Sequence, residues 1–406
     1  MLNRLSSSIK NNLKLGKMSL HTVTKDSTSN LSKLDSSKLQ ITKIKTPKQP
    51  LPNDQLKFGQ TFTDHILKIQ WNSEKGWGSP SIEPYGPISL DPSACVFHYS
   101  FELFEGLKAY RDSKDQIRIF RPNKNMERMN KSADRIVLPT FESDELIKCI
   151  AELIKLDKHL IPKDKGYSLY LRPTLIGTTA GLGVGTPTDA LLYVITSPVG
   201  PYYSTGFKAV KLEATDYAVR AWPGGVGDKK LGANYAPCIK PQLEAASRGY
   251  QQNLWLFGEE KYITEVGTMN VFFVFKDSKT GKKELVTAPL DGTILEGVTR
   301  DSILELARER LDPNEWVISE RYYSIYEVEE KASKGELIEA FGSGTAAVVS
   351  PIKEIGFHGK DIQVPLLEGE QFGQLTRDVA DWIAKIQYGD EEYKDWSYVV
   401  ADLSEN

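Results

Sequence analysis

Two kinds of apolar periodicity follow one another along this chain and restrict the folds open to it. Residues 61–71, 116–120, 167–172 and 190–197 are short segments, alternating or strongly apolar, a pattern that predicts strands. Residues 122–138 instead carry apolar side chains at helical spacing after a proline suited to a first helical turn. Interleaved strands and helices predict an α/β fold, and 406 residues favour two domains.

The first fifty residues differ from the rest in charge. They contain ten Lys or Arg and two acids, Asp26 and Asp35, whereas the remaining chain has 41 basic and 52 acidic side chains. An acid-poor, Ser-rich, basic start is typical of a mitochondrial presequence, so we expect residues 1–52 to be a presequence with its tether and the protein to reach the mitochondrial matrix. A disordered basic tail is the alternative. The acidic remainder disfavours nucleic acid as a partner, because phosphate binding needs a basic face.

Three further classes of protein are disfavoured by composition. No apolar run approaches the ~18 residues needed to cross a bilayer, so we expect no membrane association. The three cysteines are scattered and form no Cys-x-x-Cys pair, which disfavours a disulfide framework. The five histidines have no metal-binding spacing, and we expect no metal.

A glycine-rich stretch with two lysines is the strongest candidate for chemistry. Residues 222–235 read Trp-Pro-Gly-Gly-Val-Gly-Asp-Lys-Lys-Leu-Gly-Ala-Asn-Tyr, with four glycines in fourteen positions. Glycine lets the backbone bend and approach a ligand closely, so the loop could present an amine to a bound group, although a solvated turn is the commoner outcome. Leu231 after Lys230 excludes a nucleotide P-loop, which needs Ser or Thr there. Nothing local distinguishes Lys230 from Lys229.

Two other segments suggest anion binding. Tyr170 and Arg172 fall on one face of a predicted strand, where a phenol beside a guanidinium suits a carboxylate, though a surface pair explains them as well. A helix predicted to open at Val298, after Gly297, offers free N–H groups to an anion.

One segment superficially matches the dinucleotide-binding fingerprint. It spans residues 342–347 and reads Gly-Ser-Gly-Thr-Ala-Ala. The following Val-Val-Ser-Pro reads as a strand that breaks at Pro351, whereas the fingerprint must open a helix, so we reject a Rossmann fold. A Gly-Thr turn that contacts some other phosphate stays open.

Seven ordered motifs carry a family resemblance. They are Phe-Glu-Gly-Leu-Lys-Ala (104–109), Asn-Met-Glu-Arg-Met (125–129), Leu-Tyr-Leu-Arg-Pro (169–173), Gly-Asp-Lys-Lys-Leu-Gly-Ala-Asn-Tyr (227–235), Ile-Thr-Glu-Val-Gly-Thr-Met-Asn (263–270), Gly-Val-Thr-Arg (297–300) and Gly-Ser-Gly-Thr-Ala (342–346). In this order they resemble branched-chain amino-acid aminotransferases, which are pyridoxal-phosphate enzymes of fold type IV. The resemblance covers about residues 55–400, and the basic start resembles a fungal mitochondrial member.

The resemblance implies an architecture and a cofactor site. A smaller N-terminal α+β domain (53–200), a connection (201–214) and a larger C-terminal domain (215–400) would hold pyridoxal phosphate between the domains. Lys230 would form the Schiff base with the cofactor and then move the α-proton of the substrate. Glu265 would pair with the pyridine nitrogen, and Tyr235 would hydrogen-bond the ring oxygen. The cofactor phosphate would be held by Arg128, Val298, Thr299 and Thr345.

The same resemblance implies a reaction and a substrate pocket. The reaction would be a reversible ping-pong transfer between Leu, Ile or Val and 2-oxoglutarate, the last step of branched-chain synthesis and the first of breakdown. The amides of Thr345 and Ala346 would bind the α-carboxylate, and Arg172 the distal carboxylate of glutamate. The pocket walls would be Tyr99, Phe104, Tyr170, Tyr202 and Thr268. The enzyme would be a homodimer in which Tyr99 and the loop through Leu182 and Val184 are lent by the partner chain.

Two rival hypotheses stay open. Another fold type IV activity, a D-amino-acid transaminase or a lyase, would show the opposite stereochemistry or release ammonia or pyruvate. The pair Tyr170 and Arg172 favours the branched-chain assignment over it. A member that binds the cofactor or a partner without turnover would retain the same motif residues.

Overall fold

Two β-sheets with helices packed on them make up residues 31–201 and 208–402, the part of the chain that the computed structural model describes. The helices are α1 (Cys95–Tyr99), α2 (Pro122–Arg135), α3 (Ser143–Leu156), α4 (Ile239–Ser247), α5 (Val298–Arg310), α6 (Ile325–Ser333) and α7 (Gln374–Gln387). The strands are β1 (Gln40–Ile41), β2 (His65–Asn72), β3 (Gly76–Trp77), β4 (Ser81–Pro84), β5 (Glu102–Phe104), β6 (Leu107–Arg111), β7 (Gln116–Phe120), β8 (Ser168–Gly177), β9 (Asp189–Val199), β10 (Val210–Thr215), β11 (Gln252–Phe257), β12 (Tyr262–Val266), β13 (Met269–Lys276), β14 (Lys283–Thr287), β15 (Trp316–Glu320), β16 (Leu337–Gly344), β17 (Val348–Phe357), β18 (Lys360–Gln363) and β19 (Ser397–Asp402). Most of the predicted presequence and Tyr202 lie outside the described residues.

The first sheet has ten strands and is built mostly from the first half of the chain. Its order is β1-β4-β2-β9-β8-β6-β7-β19, with β3 paired to β2 and β5 to β8. The last strand of the chain, β19, returns from the far end of the sequence to pair antiparallel with β7. Helices α2 and α3 pack against this sheet and bury Met126, Met129, Leu146 and Ile150 in its core.

The second sheet has nine strands in the order β12-β11-β10-β17-β16-β13-β14-β15, with β18 paired to β17. Strand β10 runs parallel to both of its neighbours, β11 and β17, whereas β13 and β16 pair antiparallel. Phe272 and Phe341 stack across those two central strands, with ring centres 5.3 Å apart. They belong to the same core as Ile303 of α5 and Val379 and Ile383 of α7, so these two helices cover this face.

Two predicted helix starts are wrong by one or two residues. In the sequence, Ser143 followed by two acids predicts a cap for α3, but Ser143 is the first helical residue, and Glu142 occupies the capping position without a side-chain hydrogen bond. Pro237 and Pro241 in the sequence predict a regular helix only from about Pro241, but α4 begins at Ile239. Because the nitrogens of a first helical turn have no intrahelical acceptor, a proline there loses no hydrogen bond.

Three predicted strand regions also differ from the structure. β17 continues through Pro351 instead of breaking there; its pairing with β10 begins only at Ile352, so the missing N–H interrupts no ladder on that side. The sequence of residues 207–220 predicts one strand, but among the described residues only β10 forms, after which the chain leaves the sheet. The Gly-, Pro- and Ser-rich residues 76–92 predict a loop, but they contain the short strands β3 and β4.

Neither a membrane span nor a metal cluster is found among the described residues. No helix between residues 31 and 402, outside the gap at 202–207, is long and apolar enough to cross a membrane. In the same ranges, no group of three or more His, Cys, Asp or Glu side chains is arranged to hold a metal ion.

Candidate active site

Lys230 lies on the loop that follows β10, and its amine faces a cavity of about 590 Å³ lined by residues of both sheets. Its backbone is tied on both sides: the N–H donates to Ser132 Oγ (2.9 Å), and the carbonyl accepts from the N–H of Phe104 (3.1 Å). The Nζ donates to the Tyr235 hydroxyl (3.1 Å) and lies 4.9 Å from the centre of the Phe104 ring. The amine is therefore held in the cavity wall and does not project from a solvated turn.

The structure separates the two lysines that local sequence leaves equivalent. Lys229 forms an ion pair with the adjacent Asp228 and does not line the cavity. The glycines of the loop allow its close packing, since a Cβ added at Gly227 would lie 2.3 Å from the Cβ of Ala221. Only Lys230 presents its amine to the cavity.

Glu265 is a buried carboxylate in the cavity wall, on β12. Its Oε1 accepts hydrogen bonds from Asn270 Nδ2 (3.0 Å) and the Leu295 N–H (3.0 Å). Its Oε2 lies 2.7 Å from Arg220 Nε, but no donor among the described residues is aligned for a hydrogen bond to it. Burial raises the pKa of Glu265, and the charge of Arg220 opposes that effect. Oε2 therefore forms an ion pair with Arg220 but accepts no hydrogen bond from the described residues.

Arg128 projects from α2 into the same cavity but is already bound on several sides. Its Nε and Nη2 donate to the two oxygens of Glu105 (2.8 and 2.9 Å), and its Nη1 donates to the carbonyl of Glu296 (2.8 Å). Burial alone would raise the pKa of Glu105, but Arg128 outweighs it, and the pKa lies below its ordinary value. Sequence reasoning missed this pair, although Glu105 stands inside the Phe-Glu-Gly motif that carried the resemblance.

Two sets of backbone N–H groups border the cavity. The start of α5, at Val298 and Thr299, follows Gly297, which caps the helix without a side-chain hydrogen bond. An added Cβ at Gly297 would lie 2.0 Å from Asn270 Oδ1, so this close approach requires glycine. The turn between β16 and β17 contributes Thr345 and Ala346. Free N–H groups at a helix start and in a tight turn are suited to anions.

The opposite wall is aromatic with one cation. Phe104, Tyr170 and Arg172 line it, and Arg172 Nη2 donates to the Tyr170 hydroxyl (3.2 Å), as their shared strand face predicted. The guanidinium carbon lies 4.7 Å from the centre of the Phe104 ring. Gly106 makes room for the phenol, because a Cβ there would lie 2.1 Å from the Tyr170 oxygen.

One predicted site residue does not line this cavity, and another lies outside the described residues. Tyr99 is partly exposed and donates its hydroxyl to the carbonyl of Leu182, beside the exposed Val184. Tyr202 lies outside the described residues. The other predicted residues all line the cavity: Phe104, Arg128, Tyr170, Arg172, Lys230, Tyr235, Glu265, Thr268, Val298, Thr299, Thr345 and Ala346. Their individual roles stay predictions.

Comparison with known proteins defines the class. A family model described as amino-transferase class IV matches residues 102–355, the segment that contains every lining residue just named. The solved structure of the branched-chain amino acid aminotransferase from Thermobaculum terrenum in its PLP-form superposes with a TM-score of 0.65. The two sequences are 24% identical, and the match covers 84% of this chain and 100% of that chain. The predicted fold is therefore confirmed.

Two relatives from Saccharomyces cerevisiae narrow the class. The mitochondrial branched-chain-amino-acid aminotransferase is 70% identical over 395 residues, which is 97% of this chain and 99% of the relative. The cytosolic branched-chain-amino-acid aminotransferase is also 70% identical, over 92% of this chain and 100% of the relative. The chain belongs to the branched-chain-amino-acid aminotransferases, as its seven ordered motifs predicted.

Proposed function

We propose that this protein transfers an amino group reversibly between Leu, Ile or Val and 2-oxoglutarate, with pyridoxal phosphate as cofactor. The observation that carries the proposal is the placement of the Lys230 amine, the buried Glu265 carboxylate, the start of α5 and the turn between β16 and β17 around one cavity. When bound, pyridoxal phosphate supplies an aldehyde and an electron-withdrawing ring. The reaction would be the last step in the synthesis of branched-chain amino acids and the first step in their breakdown.

The cavity residues fit this cofactor. A phosphate suits the N–H groups of Val298, Thr299 and Thr345, with Arg128 adding positive charge. The buried carboxylate of Glu265, whose Oε2 accepts no hydrogen bond from the described residues, suits a protonated ring nitrogen, because a buried carboxylate is stabilised by a positive partner.

Lys230 performs two tasks in this proposal. Its Nζ would hold the cofactor through the aldehyde, and the freed amine would accept the proton that leaves the substrate α-carbon and later give it back. The Tyr235 hydroxyl, which accepts a hydrogen bond from the Nζ at 3.1 Å, orients the amine and would hydrogen-bond the ring oxygen of the cofactor. Phe104, part of the wall beside the amine, limits the access of water.

One pocket has to accept two kinds of side chain. Phe104, Tyr170 and Thr268 supply its mainly apolar surface, and the amides of Thr345 and Ala346 bind the α-carboxylate that all substrates share. Arg172 serves the distal carboxylate of 2-oxoglutarate and glutamate. Because one methylene changes binding by only about 1–3 kcal/mol, discrimination among Leu, Ile and Val should be modest.

We also propose a homodimer in which each chain completes the cavity of the other. The exposed side chains of Phe97, Tyr99, Leu182 and Val184 support this, and a hydrogen bond joins Tyr99 to the loop that carries Leu182 and Val184. Analytical ultracentrifugation of the wild type and Leu182→Asp tests it. A monomeric wild type with full activity would contradict this arrangement.

The remaining proposals concern domains and compartment. Residues 53–200 and 215–400 would form the two domains, joined at 201–214. A matrix location is supported by the basic, acid-poor residues 1–50 and by the mitochondrial relative, whereas the equally identical relative is cytosolic. Fractionating cells that express the whole chain or the chain from residue 31 tests the compartment, because loss of the presequence should leave the protein in the cytosol.

An absorbance spectrum of the purified protein tests the central proposal. We expect a band near the visible edge that disappears with L-leucine, returns with 2-oxoglutarate, and is missing in Lys230→Ala. Lys229→Ala is the matched control and should keep the band and the response. A band that is unchanged by L-leucine but lost with D-amino acids would favour the rival transaminase. A band that is unchanged by both would favour a non-catalytic member.

A further inference from the structure

Some charged residues of the cavity wall have an ion-pair partner and others do not. Two of its charged residues have ion-pair partners, Arg128 with Glu105 at 2.8 Å and Glu265 with Arg220 at 2.7 Å, and Lys230 Nζ donates to the Tyr235 hydroxyl at 3.1 Å. The two others are Arg172 and Glu102. Neither has a salt-bridge partner within 4.0 Å in residues 31–201 and 208–402, so Arg172 and Glu102 are a cation and an anion of the pocket without ion-pair partners there.

Glu102 lies within the substrate side of the pocket. It stands two residues before Phe104 on β5, so both side chains fall on the same side of the strand and both line the cavity. The Arg172 guanidinium lies over that Phe104 ring. The Glu102 carboxylate also lies against the lysine loop, since a Cβ added at Gly232 would come 2.2 Å from Oε2. Glu102 is therefore placed between the lysine loop and the wall that carries Arg172.

These two charges act on each other without contact. Burial raises the pKa of Glu102, and the charge of Arg172 opposes that effect. A guanidinium without a counter-charge would disfavour an aliphatic side chain beside it, because that side chain removes water from the charge. A nearby carboxylate reduces this desolvation cost.

We propose that Glu102 is a specificity-determining residue that sets the preference of the pocket between aliphatic and acidic side chains by acting on Arg172; this inference rests on the proposed function. With a branched-chain substrate bound, Glu102 provides the counter-charge of Arg172. With 2-oxoglutarate bound, the distal carboxylate binds Arg172, and the negative charge of Glu102 repels that carboxylate. Glu102 thus weakens dicarboxylate binding and strengthens aliphatic binding relative to a pocket with Arg172 alone.

Two non-reacting analogues test the inference on the holoenzyme. Glutarate carries the distal carboxylate and 4-methylpentanoate the branched side chain, and neither has an amino or oxo group to react. For Glu102→Gln, calorimetry should give a dissociation constant for glutarate lowered about three- to tenfold and one for 4-methylpentanoate raised about twofold or more. Glu102→Asp, which keeps the charge, should resemble the wild type. In Glu102→Gln combined with Arg172→Gln, the gain for glutarate should vanish.

The outcomes separate this inference from the proposed function. Unchanged dissociation constants in Glu102→Gln, or changes of both in the same direction, would overturn a charge-based role for Glu102. If the wild type bound both analogues but transferred no amino group from L-leucine, the proposed reaction would fail, and the titrations would still decide the role of Glu102. An unaltered absorbance band in each variant shows that the cofactor site is intact.

Discussion

Lys108 Nζ donates a 2.8 Å hydrogen bond to the carbonyl of Ala346, which ties the turn between β16 and β17 to a strand of the other sheet. Lys108 is buried on β6, opposite Tyr170 of β8 in the strand register. Burial lowers the pKa of this amine to about 8, but a neutral amine still donates a hydrogen bond. The contact therefore fixes the turn whose N–H groups we assign to the substrate α-carboxylate.

Replacing Lys108 by Met should weaken the binding of all substrates to a similar extent. A hydrogen bond to a charged group contributes about 1.5–3 kcal/mol, and its loss frees the turn at Ala346. We expect KM to rise about threefold to tenfold for both L-leucine and 2-oxoglutarate, with a smaller change in kcat. Steady-state kinetics measure this, with Lys114→Met, an exposed lysine two residues before β7, as control. Opposite changes in the two KM values would show that Lys108 acts on the side-chain pocket instead.

Glu265→Gln should slow the reaction without emptying the cofactor site. The amide keeps the acceptor oxygen for Asn270 and Leu295 but removes the negative charge that would favour a protonated ring nitrogen. We expect kcat to fall about 100-fold, a loss typical of removing one electrostatic contact to a reacting centre. Single-turnover absorbance with L-leucine measures the step, and equilibrium dialysis measures retained cofactor. Full activity in this variant would show that the charge of Glu265 is not needed for the reaction.

Glu105→Gln should destabilise the protein more than the matched change of an exposed acid, Glu127→Gln. Arg128 would remain buried without its partner, and breaking one side of a buried ion pair costs about 3–5 kcal/mol. Urea unfolding of the apoenzyme, monitored by tryptophan fluorescence, measures the free energy of unfolding. Glu127→Gln, on the exposed side of α2, is the control and should change it by about 0.5 kcal/mol or less. Equal losses in both variants would argue against the buried pair.

Glu145 should make stability depend on acid pH. Its carboxylate accepts from Lys148 Nζ (2.7 Å) and from the N–H and hydroxyl of Ser36 (2.7 and 2.6 Å). These hydrogen bonds, that of Lys148 first, lower the pKa of Glu145 to about 2. Because a lowered pKa stabilises the fold above the ordinary value of 4.5, this contribution is lost as pH falls from there towards 2.

The measurement is the melting temperature of Glu145→Gln against the wild type. At pH 7 we expect a decrease of about 1–2 °C, kept small by the solvent exposure of the pair. The difference should shrink steadily below pH 4.5. Glu152→Gln, which removes only a pair with Lys155 on the same helix, should show a smaller change at pH 7. A difference that does not depend on pH would exclude the charge of Glu145 as its cause.

The sequence by itself determined most local structure, because a few neighbouring residues carry the signal. β7 spans Gln116–Phe120 as predicted, and α5 begins at Val298 after Gly297. The alternation around Tyr170 and Arg172 placed both on one strand face, where they form a hydrogen bond. The ordered motifs also determined the family, since their combined order is far more specific than any single one.

Only the tertiary structure decided which distant residues meet. Glu105 pairs with Arg128 across 23 positions, and Lys230 instead of Lys229 faces the cavity because the loop backbone is tied to Ser132 and Phe104. The first contact follows from the packing of α2 on the first sheet, and the second from the packing of the lysine loop against α2 and β5. Local periodicity specifies the elements because it acts between neighbours, whereas the meeting of distant side chains depends on the free energy of packing the whole chain.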